Sequence, residues 1–272
     1  MATQKPELIF AISDLHCGST VGLLPPRFRT LEDTSVNQNP VQRWLWSCWQ
    51  DTQKWIDVTS KGRPYGLVIN GDLIEGNHHR TTQIISPDIG DHIEAALQVL
   101  RPLVSKAAAT FIVRGTECHT GNAEIAIGRA LKCRVNPDNG LPIWDRLTLD
   151  VKGIRYVFRH HIGTTMRRGL AATQLSVNLA EEQLEAANAD EKIPRVLVCS
   201  HRHKYGQYQD DGGICVVTPP WQGLTRFAHK VVSQARTTPG LVCFDHTACE
   251  QGELPKVRPR LYTSQRTQAV EL

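Results

Sequence analysis

No CxxC pair occurs in the 272 residues, although the chain has eight cysteines; they stand singly at 17, 48, 118, 133, 199, 215, 243 and 249. Such scatter gives neither the short spacings of a disulfide framework nor a clustered structural zinc site, and reads as reduced thiols in an intracellular protein. No apolar run approaches the roughly 20 residues that span a bilayer. The opening MATQKPELIFAI lacks a charged region followed by a long apolar stretch and a small-residue cleavage site. A cytoplasmic, soluble protein is therefore expected. Net charge is also small, +4 from 31 Lys and Arg against 27 Asp and Glu. That suits phosphate-bearing partners but is too weak to indicate nucleic-acid binding by itself. No internal repeat is found. What the chain does have is length, with a 40% hydrophobic content that can supply a real core.

Short apolar runs rich in branched residues recur at LIFAI (8–12), YGLVIN (65–70), TFIVRG (110–115), IRYVFRH (154–160), RVLVCS (195–200), ICVVTP (214–219) and GLVCFD (240–245). They read as buried strands. Helical patterns lie between several of them, at 41–60, 92–108 and 175–190. This alternation predicts α/β layers. Trp44, Trp46, Trp49 and Trp55 on the first helix stand at near-helical spacing and read as core rather than a stacking platform. Residues 18–40 read as a long surface loop. Residues 1–250 are expected to form one catalytic domain and 251–272 a polar, lightly basic tail without fixed structure.

Five strand ends carry groups that can bind metal. They are Asp14 and His16 in ISDLH; Asp72 and Glu75 in GDLIE; Glu117 and His119 in GTECH; His160 and His161; and His201 and His203 in HRH. In open α/β sheets the strand C-termini converge on one edge where sites are built. Without cations, so many buried titratable groups would carry a heavy desolvation cost. Carboxylate and neutral imidazole together suit Mn²⁺, Fe, Zn²⁺, Co²⁺ or Ni²⁺. Seven or eight ligands exceed what one ion takes, so two ions about 3.5–4 Å apart are expected, the arrangement used for phosphate-ester hydrolysis.

The order DxH, GDxxE, a G(N/T) turn with a histidine, H, then HxH resembles the calcineurin-like metallophosphoesterase superfamily over roughly residues 8–245. The resemblance implies two facing mixed β-sheets flanked by helices, a four-layer α/β fold with its site at one edge. It implies that Asp14, His16 and His203 hold one metal and that Asp72 bridges. His201 and one of His160 or His161 would hold the second. Two divalent ions, Mn²⁺ foremost, would then support attack of a bridging hydroxide on a phosphomonoester or phosphodiester. A DNA or RNA nuclease of the same superfamily is the alternative, and a non-catalytic scaffold a third reading.

Two departures from the family pattern bear on the site. The third family motif is usually Gly-Asn-His-(Asp/Glu), but GTECHTGNAE stands here. Either Glu117 replaces the asparagine ligand and His119 the catalytic histidine, or Gly121-Asn122-Ala123-Glu124 is the motif with its histidine lost. GTECH follows the strand directly and keeps a histidine, which favours the first. Glu75 stands where a second aspartate is usual, either to orient His119 and favour its protonated form or as a simple helix-start carboxylate. His160 and His161 cannot both face the site if the strand alternation continues through them. Arg167 and Arg168 in GTTMRRG are candidates for phosphate binding, against an ordinary basic loop. His78 and His79 are candidates for substrate contact, against solvated loop positions.

Overall fold

The computed structural model describes residues 5–78, 81–163, 171–226 and 237–264. Two five-stranded mixed sheets carry the fold. In the first, β1 (Leu8–Ile12), β4 (Tyr65–Asn70) and β5 (Ala109–Val113) run parallel. Two antiparallel strands, β11 (Gly240–Asp245) and β12 (Lys256–Leu261), extend the β1 side. The second sheet has the order β6 (Leu147–Val151), β7 (Ile154–Phe158), β8 (Val196–Cys199), β10 (Ile214–Val217), β9 (Gly206–Gln209). Its three central strands are parallel.

The sheets pack face to face. Ile9, Ala11, Val68, Val242 and Phe244 from the first interdigitate with Tyr156, Phe158, Val196, Val198 and Val216 from the second. The outer face of the first sheet is covered by α1 (Pro40–Ser60), α2 (Ile89–Val104) and α4 (Ala123–Ala130), and that of the second by α5 (Ala171–Asn188). The four α/β layers expected from the sequence are therefore present. Burial on both faces explains why β1, β4, β8 and β10 read as unbroken apolar runs rather than alternating ones. On α1, Trp49 is fully buried and Trp44, Trp46 and Trp55 pack partly buried against the same core. The helix starts sharply because Asn39 and Gln42 cap each other's backbone and Pro40 opens the first turn. No helix among the described residues is long and apolar enough to cross a membrane.

Two expectations are corrected. The segment after residue 250 is not wholly a tail: β12 pairs along its length with β11, from Lys256 opposite Asp245 to Leu261 opposite Gly240. Arg258 also lies over the Trp55 ring, so packing of long basic stems replaces the apolar pattern that a strand usually shows. Residues 18–40 are not all loop, since β2 (Phe28–Arg29) and β3 (Ser35–Val36) form a small ribbon there.

At the edge where β1 begins, fully buried His246 sits beside Tyr156, its Nε2 2.5 Å from the phenol oxygen. Burial, followed by the charge of Lys152, pushes this imidazole down to about 4. The unfolded chain, with histidine near 6.5, therefore binds the extra proton first. This contribution to stability is complete above pH 6.5 and lost as pH falls through 4. The urea midpoint is expected to drop across that window by an amount worth about 2 kcal/mol after allowance for solvent screening.

Candidate metal centre

The C-terminal ends of β1, β4, β5, β7 and β8 meet at one edge, and their loops are joined beyond the strands. Asp14 N–H donates to Gly71 O (2.9 Å), His16 N–H to Asp72 O (3.1 Å), Cys17 N–H to Leu73 O (3.0 Å) and Glu75 N–H to Cys17 O (2.9 Å). Five residues at these ends adopt left-handed backbone: Asp14 (φ 51°), His16 (44°), Asp72 (55°), His201 (69°) and His203 (50°). Each such conformation costs on the order of 1 kcal/mol in a residue with a side chain, and such costs concentrate at functional sites. Gly115 is required by contact: a Cβ there would stand 2.2 Å from Asp72 N.

Asp72 lies at the centre. Its Oδ1 accepts from Thr116 N–H (2.6 Å), and its Oδ2 lies 3.0 Å from His160 Nε2 and 3.8 Å from His16 Nε2. On the near side His16 Nε2 and His203 Nε2 are 3.2 Å apart, and His203 Nε2 is 3.3 Å from Asp14 Oδ1. That buried oxygen receives no well-aligned hydrogen bond. On the far side His160, His161 and His201 converge. Three sets of candidate ligand atoms, each within 4.8 Å, overlap: Asp14, His16, His203; Asp14, Asp72, His160; and His160, His161, His201. Among the described residues, histidines are the only cationic side chains paired with Asp14 or Asp72. Two buried carboxylates, one of them with an orphaned oxygen, and five imidazoles form a donor set that fits divalent cations.

A second layer fixes the rings. Glu75 Oε2 lies 2.9 Å from His16 Nδ1 and accepts from Gln222 Nε2 (2.6 Å). His160 Nδ1–H donates to Asn70 O (2.7 Å). Both arrangements turn an Nε2 inward, as supporting groups of histidine metal ligands do. Beneath them Ser13, Thr218, Ser200 and Asn70 form a buried polar chain with successive contacts of 2.6, 2.7 and 2.6 Å. Burial opposes charge on His160, but the Asp72 carboxylate outweighs it and raises the imidazole to about 9. At His201, burial and then the neighbouring His160 and His161 lower it to about 4. Burial disfavours the Glu75 carboxylate, yet His16 brings it down to about 2.

Most residues singled out in the sequence meet at this edge, with four corrections. Glu117 is exposed at the first residue of α3 (Glu117–Thr120) and joins none of the ligand groups; the oxygen facing Asp72, His160 and His201 is that of Thr116, at 3.1, 3.3 and 3.2 Å. The second frame does not supply it either, because Asn122 is exposed at the start of α4. Glu75 holds His119 through its backbone carbonyl, which accepts from Nδ1 at 2.8 Å, while its carboxylate faces His16. His119 is consequently not held in its protonated form: burial and then His16 lower its pKa. Lastly, β7 ends at Phe158, so strand alternation no longer constrains His160 and His161, and both approach His201. His78 lies beside the site, its ring 4.1 Å from that of His119. His79, Arg167 and Arg168 lie outside the described residues. Sequence reasoning missed Thr116 and Gln222, whose residue types carry no metal signal, and saw Glu124 only as part of a competing motif.

A four-layer α/β fold with clustered carboxylates and imidazoles at the parallel strand ends defines the class. A model of the calcineurin-like phosphoesterase family matches residues 8–227, and the chain belongs to that family. No curated protein matches it. Similar solved structures include Vps29 from Entamoeba histolytica complexed with zinc (12% identity, 94% of this chain and 98% of that one, TM-score 0.45). Others are a novel archaeal phosphodiesterase (10%, 94% and 99%, 0.44) and Vps29 from Cryptosporidium parvum (12%, 96% and 100%, 0.42).

Proposed function

We propose that this protein is a metal-dependent phosphodiesterase. Asp14, His16 and His203 would hold one divalent cation and His160, His161 and His201 a second, with the Asp72 carboxylate available to both groups. The Thr116 hydroxyl takes the place of the family's asparagine. Cations held there would supply positive charge for the phosphate oxygens and would lower the pKa of an attacking water. The chain's own residues prepare for this. Glu75 and the Asn70 carbonyl aim the His16 and His160 rings inward, and burial excludes bulk water from Asp14 and Asp72. His119, anchored through Nδ1, moves a proton at Nε2 to or from the leaving oxygen. An open groove of about 510 Å³ runs beside His119, with Ile89, Ile93 and Ala126 among its walls. It offers space for an organic leaving group, which favours a diester over a small monoester.

The observation that carries this reading is the overlap of three ligand groups drawn from strand ends of both sheets. The test is a panel of phosphomonoester, phosphodiester, cyclic nucleotide, single-stranded and duplex nucleic acid, each with Mn²⁺, Fe²⁺, Co²⁺, Ni²⁺ or Zn²⁺. Greatest turnover is expected on a small phosphodiester, with loss on chelation. Preference for nucleic acid, with strong salt dependence, would replace this substrate with a nuclease's. Cation binding without turnover on any member would replace the enzyme with a scaffold. Within the enzyme reading, His119→Ala should lower kcat by about 10²–10⁴-fold with Mn²⁺ content unchanged. Glu117→Ala and Asn122→Ala should each leave Mn²⁺ content unchanged, since neither residue belongs to a ligand group.

A further inference from the structure

A further group of candidate ligands stands beside the centre just described, sharing His119 with a group formed by His16, Glu75 and His119. His78, Cys118 and His119 each place a ligand atom within 4.8 Å of the others. A tetrahedral zinc ion with Zn–S near 2.3 Å and Zn–N near 2.0 Å sets its donors roughly 3.5 Å apart, within reach of this spacing. The framework around the group is tight. Gly76, two residues before His78, lies against α3 so closely that a Cβ would meet His119 O at 2.1 Å. Gly76 N–H also donates to His92 Nδ1 (3.2 Å), whose ring is tied through Nε2 to Ser86 O (2.8 Å). The donor set is thus held by two anchored segments. It is also open outward: Cys118 is the exposed one among the eight cysteines, and both Cys118 and His119 border the 510 Å³ groove.

Thiol and imidazole differ from the carboxylate-rich centre in the cations they select. Thiolate prefers Zn²⁺, Cd²⁺ and other soft or borderline ions, whereas Mn²⁺ prefers oxygen. With His119 Nδ1–H bonded to the Glu75 carbonyl, the ring's lone pair is on Nε2. That is the atom given a proton-transfer role above.

We infer that His78, Cys118 and His119 form a separate Zn²⁺-class site at the mouth of the metal centre, and that filling it takes His119 out of the reaction. Binding forms one S–metal and two N–metal bonds and releases the Cys118 thiol proton to solvent, leaving a fourth position for water from the groove. Only the inhibitory consequence rests on the phosphodiesterase reading; cation binding does not.

The experiment uses the full chain loaded with Mn²⁺ and adds Zn²⁺. Alkylation of Cys118 by iodoacetamide, followed by mass spectrometry, should slow at least about tenfold, and His78→Ala should abolish that protection. Zn²⁺ should inhibit hydrolysis, with the half-inhibiting concentration, measured relative to each protein's own activity without Zn²⁺, raised at least about tenfold in Cys118→Ser. An alkylation rate indifferent to Zn²⁺, or protection that survives His78→Ala, overturns the site. Equal inhibition of the parent and Cys118→Ser overturns its control of His119. If the substrate panel yields no turnover, the alkylation measurement still decides whether the site exists.

Discussion

Asp72→Asn is expected to lower metal-dependent hydrolysis by at least about 10³-fold and to reduce bound cation per chain. Asp72 is the carboxylate common to both halves of the site, 3.0 Å from His160 Nε2 and 3.8 Å from His16 Nε2. Asparagine preserves the shape and one acceptor oxygen, but its amide N–H₂ must face either Thr116 N–H or His160 Nε2. It also removes the anion that raises His160. The cation-free fold responds as well. Asp72 is buried at 1% exposure, and His160 and then His16 outweigh that burial to hold its carboxyl well below the usual carboxylate range. Asparagine loses those charge pairings, so the cation-free variant should melt below the cation-free parent. Elemental analysis, calorimetry and single-turnover hydrolysis together separate these effects. Turnover above a hundredth of the parent's would contradict the bridging role.

What could be foreseen from sequence follows a physical division. β1, β4 and β8 are buried on both faces, so their composition alone marks them. By contrast, β6 (LTLDV), β9 (GQYQ) and β12 (KVRPRL) lie at sheet edges with alternating or largely exposed side chains. Pairing with a neighbour, not composition, makes them strands. The same division runs through the site. Asp14, His16, Asp72, His160, His201 and His203 announce themselves by residue type directly after apolar runs. Thr116 does not, because its position is set by the turn that lays its N–H on Asp72. Nor could sequence tell that Glu75 would serve His16 by its carboxylate and His119 by its carbonyl, since both assignments use one residue at one spacing.

Glu124→Ala is the second change expected to act strongly, although Glu124 belongs to none of the ligand groups. The side chain is fully buried; Oε2 accepts from Gly115 N–H (2.9 Å) and Oε1 from Leu73 N–H (3.3 Å). One carboxyl group therefore ties the turn carrying Thr116 to the turn carrying Asp72. Burial raises it to about 7, a sign that its acceptor oxygens matter here more than a fixed negative charge. Alanine would leave two buried N–H groups without acceptors, each worth about 1–3 kcal/mol, so a stability loss of roughly 3–5 kcal/mol is expected. Cation affinity should fall about 10–100-fold, as when other supporting groups of metal ligands are removed. Glutamine keeps one acceptor oxygen and should recover about half of the stability, with cation affinity within about tenfold of the parent. A site held mainly by charge would respond in the opposite order, with glutamine as damaging as alanine. Denaturant midpoints and cation titrations of the two variants distinguish these outcomes, because alanine and glutamine remove the same charge and differ in the acceptor they leave behind.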